Sequence, residues 1–321
     1  MDDAAAAGSM IKWVLLFPGQ ASQYVGMAQD LYDRYPAVRD LFAQADAQLG
    51  VSLSACCFAG PEERLRQTAI TQPAVFVHSV AVWQVLAAHG LVPAACAGHS
   101  LGEYSALVAA GALTVADGLA LVGARARLMQ RASEERPGTM AAVIGLDDAA
   151  VASVCQQAQT ELSGEVVVAA NFNAPGQVVV SGSHAGVARA SDLALQAGAR
   201  KVAPLAVGGA FHSPLMQSAA AAMVEPLAGA DWRRPTASVV TNVDAVPTSD
   251  PDRLRDSLAR QITEPVRWTE SVTALTGDER IRVLEVGPGS VLRGLVRRIA
   301  PGIAVQCVGT ADELEAALAL L

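Results

Sequence analysis

The residues that most directly offer chemistry lie in Gly98-His99-Ser100-Leu101-Gly102. A Gly-x-Ser-x-Gly set between a strand and a helix forms a sharp turn that lifts a serine hydroxyl off the end of a sheet. Its glycines are required where side chains would collide as the backbone doubles back. Here the apolar run 91–97 supplies the strand and residues 103–110 supply the helix, with Gly111 placed to end it. Ser100 is therefore the candidate nucleophile. A serine needs an adjacent base, and the usual order for such an elbow is nucleophile, acid, then a histidine near the C-terminus. That order is not available, because no histidine follows His212. His212, in the loop Gly209-Ala210-Phe211-His212-Ser213, is the candidate base of a Ser100/His212 dyad. His99 is the second candidate, disfavoured because a neighbour along an elbow points away from the serine Oγ. His78 and His89 read as structural, and His184 as a helix cap. A thiolate leaves with little need of a proton, so thioesters suit such a dyad better than amides.

Two further polar groups border this chemistry. In the helical stretch 114–131, Val115, Leu119, Val122, Ala126 and Met129 repeat at spacings of four and three. Arg125 lies roughly 80° from the centre of that stripe, whereas Arg127 and Arg131 face solvent. Burying a guanidinium at a core edge without an anion is costly, and the sequence leaves a structural ion pair or a snorkelling side chain as open as a functional role. Gln20 follows the apolar run 13–17 and Pro18-Gly19, just past the end of a predicted central strand, where ligands bind in open α/β sheets. A helix cap is the alternative, a role that Ser22 also suits.

The elements that position these groups follow from apolar patterning. Residues 26–49 and 60–90 read as helical, with Pro73 in the first turn of a long segment. Residues 139–207 read strand, helix, strand, strand, helix, strand, a βαββαβ order entered at Pro137-Gly138 and left at Gly208-Gly209. This predicts a small ferredoxin-like subdomain, 138–207, inserted into a large α/β domain made of 10–137 and 208–321. Asn171 and Asn173 read as turn residues between its central strands. Later strands are expected at 238–243, 281–286 and 304–308. Gln261 sits where a helix runs into a loop before Pro265, and Glu285-Val286-Gly287-Pro288-Gly289 reads as a tight turn. It lacks the lysine of a phosphate-binding loop.

Of 321 residues, 52% are hydrophobic and 17% charged, enough to bury a large core. A net charge of -8 argues against general nucleic-acid binding. The cysteines, Cys56, Cys57, Cys96, Cys155 and Cys307, lack ligand spacing and read as reduced, cytoplasmic thiols. No run reads as a membrane span, and no signal peptide is evident. Residues 1–9, ending in Gly8-Ser9 before Met10, read as a cloning junction ahead of the native start.

Taken together, these motifs resemble the malonyl-CoA:acyl carrier protein transacylases and the acyltransferase domains of polyketide synthases. The resemblance rests on Phe17-Pro18-Gly19-Gln20, residues 98–104, 171–180 and 209–216, and Glu285 to Gly289, and so spans nearly the whole chain. It implies an α/β-hydrolase-like large domain with the inserted ferredoxin-like unit. It further implies Ser100 as the acylated nucleophile, His212 as the base, and Arg125 as the partner of the malonyl carboxylate. Gln20 and the Leu101 N–H would form the oxyanion hole, and the Gln261 carbonyl would orient the histidine. Malonyl would pass from coenzyme A, a substrate rather than a bound cofactor, to the phosphopantetheine thiol of an acyl carrier protein. No nucleic acid, metal or membrane is implied. Ala21 departs from the glycine common at that position, and Phe211 resembles malonyl-selective members. Arg293, Arg297 and Arg298 are a candidate basic face for an acidic carrier. An editing acyl hydrolase is the alternative, in which water accepts the acyl group, and a non-catalytic scaffold is the third reading.

Overall fold

The computed structural model describes residues 11–277 and 280–321, so the expectation for residues 1–9 lies outside the described residues. The chain opens with β1 (Lys12–Phe17), then α1 (Gln29–Arg34), α2 (Pro36–Leu49), α3 (Leu53–Ala59), α4 (Glu62–Leu65) and α5 (Thr68–Ala88). Next come β2 (Pro93–Gly98), α6 (Gly102–Ala109) and α7 (Val115–Glu135). A contiguous unit follows: β3 (Thr139–Ile144), α8 (Asp148–Glu161), β4 (Val167–Ala174), β5 (Gln177–Gly182), α9 (His184–Gln196) and β6 (Lys201–Pro204). The remainder adds α10 (Gln217–Gly229), β7 (Ser238–Val240), β8 (Pro247–Thr248), α11 (Pro251–Gln261), α12 (Trp268–Leu275), β9 (Ile281–Val286), α13 (Val291–Ile299), β10 (Val305–Val308) and α14 (Ala311–Leu318).

Among the described residues the strands form two sheets. The larger runs β10-β9-β1-β2-β7-β8, parallel throughout except for β8, which returns antiparallel along β7. β1 sits inside it, and its last four residues are buried, as a continuous apolar run requires when helices cover both faces. The smaller sheet runs β4-β5-β3-β6 and is antiparallel at every step. It packs α8 and α9 over its own apolar cluster, which includes Val143, Val154, Val178 and Leu193. Its β4 also bonds to the larger unit: Phe172 N–H donates to the Val266 carbonyl, and Val266 N–H to that of Ala170, both at 2.9 Å.

Local chemistry explains where the elements differ from the sequence reading. The helix expected over 26–49 breaks at Tyr35, held extended before Pro36, because a residue preceding proline is pushed out of the helical region. α5 begins at Thr68, so Pro73 lies inside it rather than in its first turn. The earlier start is anchored by Thr71 Oγ1, which donates to the Leu65 carbonyl at 2.5 Å. α5 is also long and apolar enough to cross a membrane by length and composition, against the expectation of no such run. Most of its residues, from Ile70 to Val82 without a break, are buried, as suits the central helix of a protein core. Asn171 and Asn173 are strand residues, since β4 continues through two register shifts to Ala174 and the turn falls at Pro175-Gly176. Ser183, whose hydroxyl accepts from Gly186 N–H, caps α9; His184 is the first helical residue. β6 and β7 end earlier than expected, at Pro204 and Val240.

Candidate active site

The elbow is built as tightly as its glycines suggest. β2 enters at Gly98, Ser100 takes a left-handed φ of 51°, and α6 departs at Gly102. A Cβ on Gly98 would stand 1.9 Å from the Gly102 carbonyl carbon, and one on Gly102 would stand 2.0 Å from the Phe17 carbonyl oxygen. Neither site has room for a side chain, because backbone lies on the far side of each contact. Asn242, just past β7, clasps the turn: its Oδ1 accepts from Ser100 N–H and its Nδ2 donates to the Gly98 carbonyl, both at 2.7 Å. Gly102, Glu103 and Tyr104 N–H donate to the His99, Ser100 and Leu101 carbonyls, which leaves the Leu101 N–H outside that run at the helix start.

Tertiary structure brings His212 to the serine across 112 positions of sequence, with Nε2 2.8 Å from Ser100 Oγ. His212 is itself held at a φ of 56° and is 3% exposed. Its Nδ1 lies 2.7 Å from the Gln261 carbonyl oxygen. A carbonyl only accepts, so Nδ1 carries the proton and Nε2 offers its lone pair to the serine hydroxyl. Arg125, 1% exposed, reaches the same oxygen from below: Nη2 donates to Ser100 Oγ at 3.1 Å and to Gln261 Oε1 at 3.0 Å, and Nη1 donates to Gln72 Oε1 at 2.7 Å. Among the described residues no carboxylate pairs with this buried guanidinium. Gln72 passes the chain on, its Nε2 lying 3.3 Å from Gln20 Oε1.

Electrostatics follow from burial. Desolvation pushes the His212 imidazolium down to about 3, and the Arg125 charge pushes the same way, so the ring is neutral at pH 7. Desolvation also holds Arg125 below its ordinary value, opposed by Tyr104 and Glu103. The Glu103 carboxyl is raised to about 7 by burial, against the donors Gln261 and Asn242. Ser100 opens onto a cavity of about 260 Å³, lined also by Gln20 and His212 and by Met140, Val179, Phe211 and Leu292. Its lining is chiefly apolar.

Ser100, His212, Arg125, Gln20, Leu101 and Gln261 thus converge on one place. His99 does not join them: its Nε2 bonds Asn173 Oδ1 at 2.7 Å, and its ring stands edge-on to Trp268. Arg127 and Arg131 are exposed. Arg298 is engaged in tying α13 to the β4–β5 turn, donating to Gln177 Oε1 and, at 3.0 Å, to the Pro175 carbonyl. Sequence reasoning missed Gln72, Glu103 and Asn242. Glu103 carried a signal as the one charged residue of the apolar α6, and Gln72 a weaker one as an amide in a largely apolar helix; Asn242 had none beyond following a strand.

The chain belongs to the acyl transferase domain family, which matches it over residues 14–308. It is 44% identical over 312 residues to the malonyl CoA-acyl carrier protein transacylase of Escherichia coli strain K12, covering 97% of this chain and 100% of that one. The protein of the same name from Bacillus subtilis strain 168 is 40% identical over 312 residues, covering 97% and 98%. Among solved structures, a malonyl-transacylase in complex with its type II PKS acyl-carrier protein is similar with a TM-score of 0.91 at 41% identity, over 97% of this chain and 100% of that one. The malonyl-CoA:acyl carrier protein transacylase of Xanthomonas oryzae pv. oryzae has a TM-score of 0.91 at 43% identity, over 97% and 99%. The mixed α/β architecture, a largely parallel sheet beside an antiparallel one, is common to this chain and those structures.

Proposed function

We propose that this protein is an acyltransferase that moves a malonyl group from malonyl-CoA to the phosphopantetheine thiol of an acyl carrier protein, through a malonyl ester on Ser100. The observation that carries this reading is Arg125: a buried cation with no carboxylate partner among the described residues, 3.1 Å from the candidate nucleophile. A desolvated guanidinium selects an acyl group that brings its own carboxylate, and its planar fork suits bidentate pairing. The high identity to proteins named for malonyl transfer supports the same substrate.

In the first half-reaction His212 Nε2 takes the Oγ proton as the serine attacks the thioester carbonyl. The Leu101 N–H and the Gln20 amide receive the oxyanion, and the intermediate collapses to malonyl-Ser100 as His212 returns the proton to the leaving sulfur, releasing coenzyme A as the thiol. In the second, His212 takes the proton of the carrier thiol, whose sulfur attacks the ester, and returns it to Oγ as Ser100 leaves. Gln261 takes the place of a triad acid, its carbonyl fixing the tautomer. No bound cofactor enters these steps.

The order β4-β5-β3-β6 with split crossovers supports reading 138–207 as a ferredoxin-like subdomain. The parallel sheet with its serine elbow supports an α/β-hydrolase-like domain over 10–137 and 208–321. The thiols, all buried and unpaired, suit the cytoplasm. The test is mass spectrometry after incubation with malonyl-CoA alone. A malonyl adduct on the peptide carrying Ser100, absent from S100A, is expected, with R125A losing malonyl loading by about 10²-fold or more while keeping acetyl loading. An adduct that persists in S100A, or equal losses for both acyl groups in R125A, would refute it.

A further inference from the structure

Glu103 is fully buried directly beneath the elbow, yet the reaction described above does not use it. Its two oxygens are treated differently. Oε2 accepts from Gln261 Nε2 at 2.7 Å and from Asn242 N–H at 3.1 Å, whereas Oε1 has no hydrogen-bond partner among the described residues. The Gln261 amide is a bridge: its oxygen receives Arg125 Nη2 at 3.0 Å while its nitrogen serves Glu103. Cation and carboxyl are therefore one amide apart in a dry interior, and Glu103 is the acid that answers the Arg125 charge.

We infer that Glu103 is the counter-charge of Arg125 while the site holds no acyl carboxylate, and that it takes up a proton from solvent when a malonyl carboxylate pairs with that guanidinium. This rests on the reading of Arg125 given above. Two carboxylates sharing one buried cation repel each other, and the one with a bare oxygen is the cheaper to neutralise. The proton adds to Glu103 and no other bond changes. The charged groups that act on Glu103 are Arg125 from α7, which favours its ionised form, and Asp244, which opposes it while paired to Arg260 at 2.8 Å. Tyr104, on its own helix, is held far above neutrality by burial, and His212 stays neutral. Glu103, raised to about 7, is left to titrate in the working range.

Calorimetric titration of S100A with malonyl-CoA and with acetyl-CoA, in buffers of differing ionisation enthalpy, measures the protons taken up with each. Acetyl-CoA cancels contributions from the phosphates. The expected result is an excess uptake for malonyl-CoA of about one proton near pH 8, fading below about pH 6 where Glu103 is already protonated. The double variant S100A/E103Q, which keeps an acceptor for Gln261 and Asn242, should lose that excess at every pH. Excess uptake that persists in E103Q would overturn the assignment to Glu103. So would malonyl-CoA binding tighter than acetyl-CoA with no excess uptake in S100A, a result that needs no substitution at position 103. Equal binding of the two thioesters would instead overturn the Arg125 reading, and this inference with it.

Discussion

The two sheets serve the site in different ways. The parallel sheet delivers polar groups from the ends of its strands: Gln20 follows β1, Ser100 follows β2 and Asn242 follows β7, and the helices between them add Gln72 and Arg125. Strands that run the same way end on one edge, so residues far apart in sequence arrive together. The antiparallel sheet sends alternate strand ends to opposite edges and presents a face instead. From it come Met140 and Val179 as apolar wall, with Asn171 and Asn173 at the border. Backbone strain divides the same way: among the described residues the left-handed non-glycine positions, Ala21, Ala28, Ser100, His212 and Ala245, all lie outside the small unit. One region holds chemistry rigidly; the other shapes access.

The sharpest way to break this comparison is to add one methyl group in each region. Gly98→Ala forces a Cβ into backbone at 1.9 Å and should cost more than about 3 kcal/mol, with loss of the folded elbow. Gly164→Ala, in the loop between α8 and β4, has a left-handed φ of 91° but nothing within 4 Å, and should cost only about 1–2 kcal/mol. Urea unfolding of both variants measures the gap, and comparable losses would show that the elbow is less rigid than its contacts imply.

Removing the base tests the chemical side. His212→Ala should slow self-acylation by about 10²–10⁴-fold, read by quenched-flow mass spectrometry. The pH dependence carries more information. With its folded value near 3, the histidine is neutral well below its ordinary 6.5, so the acid limb of kcat/KM should fall below about pH 5. A limb at 6.5 would mean that His212 is solvated in the working enzyme. The stability sign is set by the same shift. His212 and His78, the latter lowered to about 4 by burial, contribute fully above 6.5 and lose that contribution as pH falls toward those values. Glu103 runs the other way: its contribution is full below 4.5 and lost as pH rises through about 7.

Smaller effects sharpen the boundary between the regions. Asn173→Ala removes a side-chain bond from the small sheet to His99; a neutral hydrogen bond contributes about 1 kcal/mol, so malonyl-CoA KM should rise less than tenfold (roughly) with kcat unchanged. A large fall in kcat would give the antiparallel sheet a share of the chemistry. Smallest of all, Ala21→Gly relieves a left-handed alanine at a φ of 78° beside Gln20. It should raise stability by no more than about 1 kcal/mol, since the glycine adds freedom to the unfolded chain, and thermal unfolding at matched pH checks the sign.

What the sequence by itself determined was local. The elbow could be read because glycine is demanded at two fixed offsets from the serine, and the buried strand β1 because an unbroken apolar run suits few other settings. Arg125 could be placed at the core edge by helical period, but its full burial could not, because a helix pattern does not reveal which neighbours close over it. The split at Pro36 has a local cause, since proline constrains the residue before it, whereas the strand character of Asn171 and Asn173 depended on backbone pairing that residue preference does not fix. Only the tertiary structure decided the hydrogen-bond set. Asn242 reaches Ser100 across 142 positions, Gln261 reaches Glu103 across 158, and Gln72 reaches Arg125 across 53. An amide in a helix or after a strand looks the same in sequence whether it meets water or a buried cation. What separates the two cases is desolvation, which exists only once the strands of the parallel sheet have brought their ends together and excluded water from the groups between them.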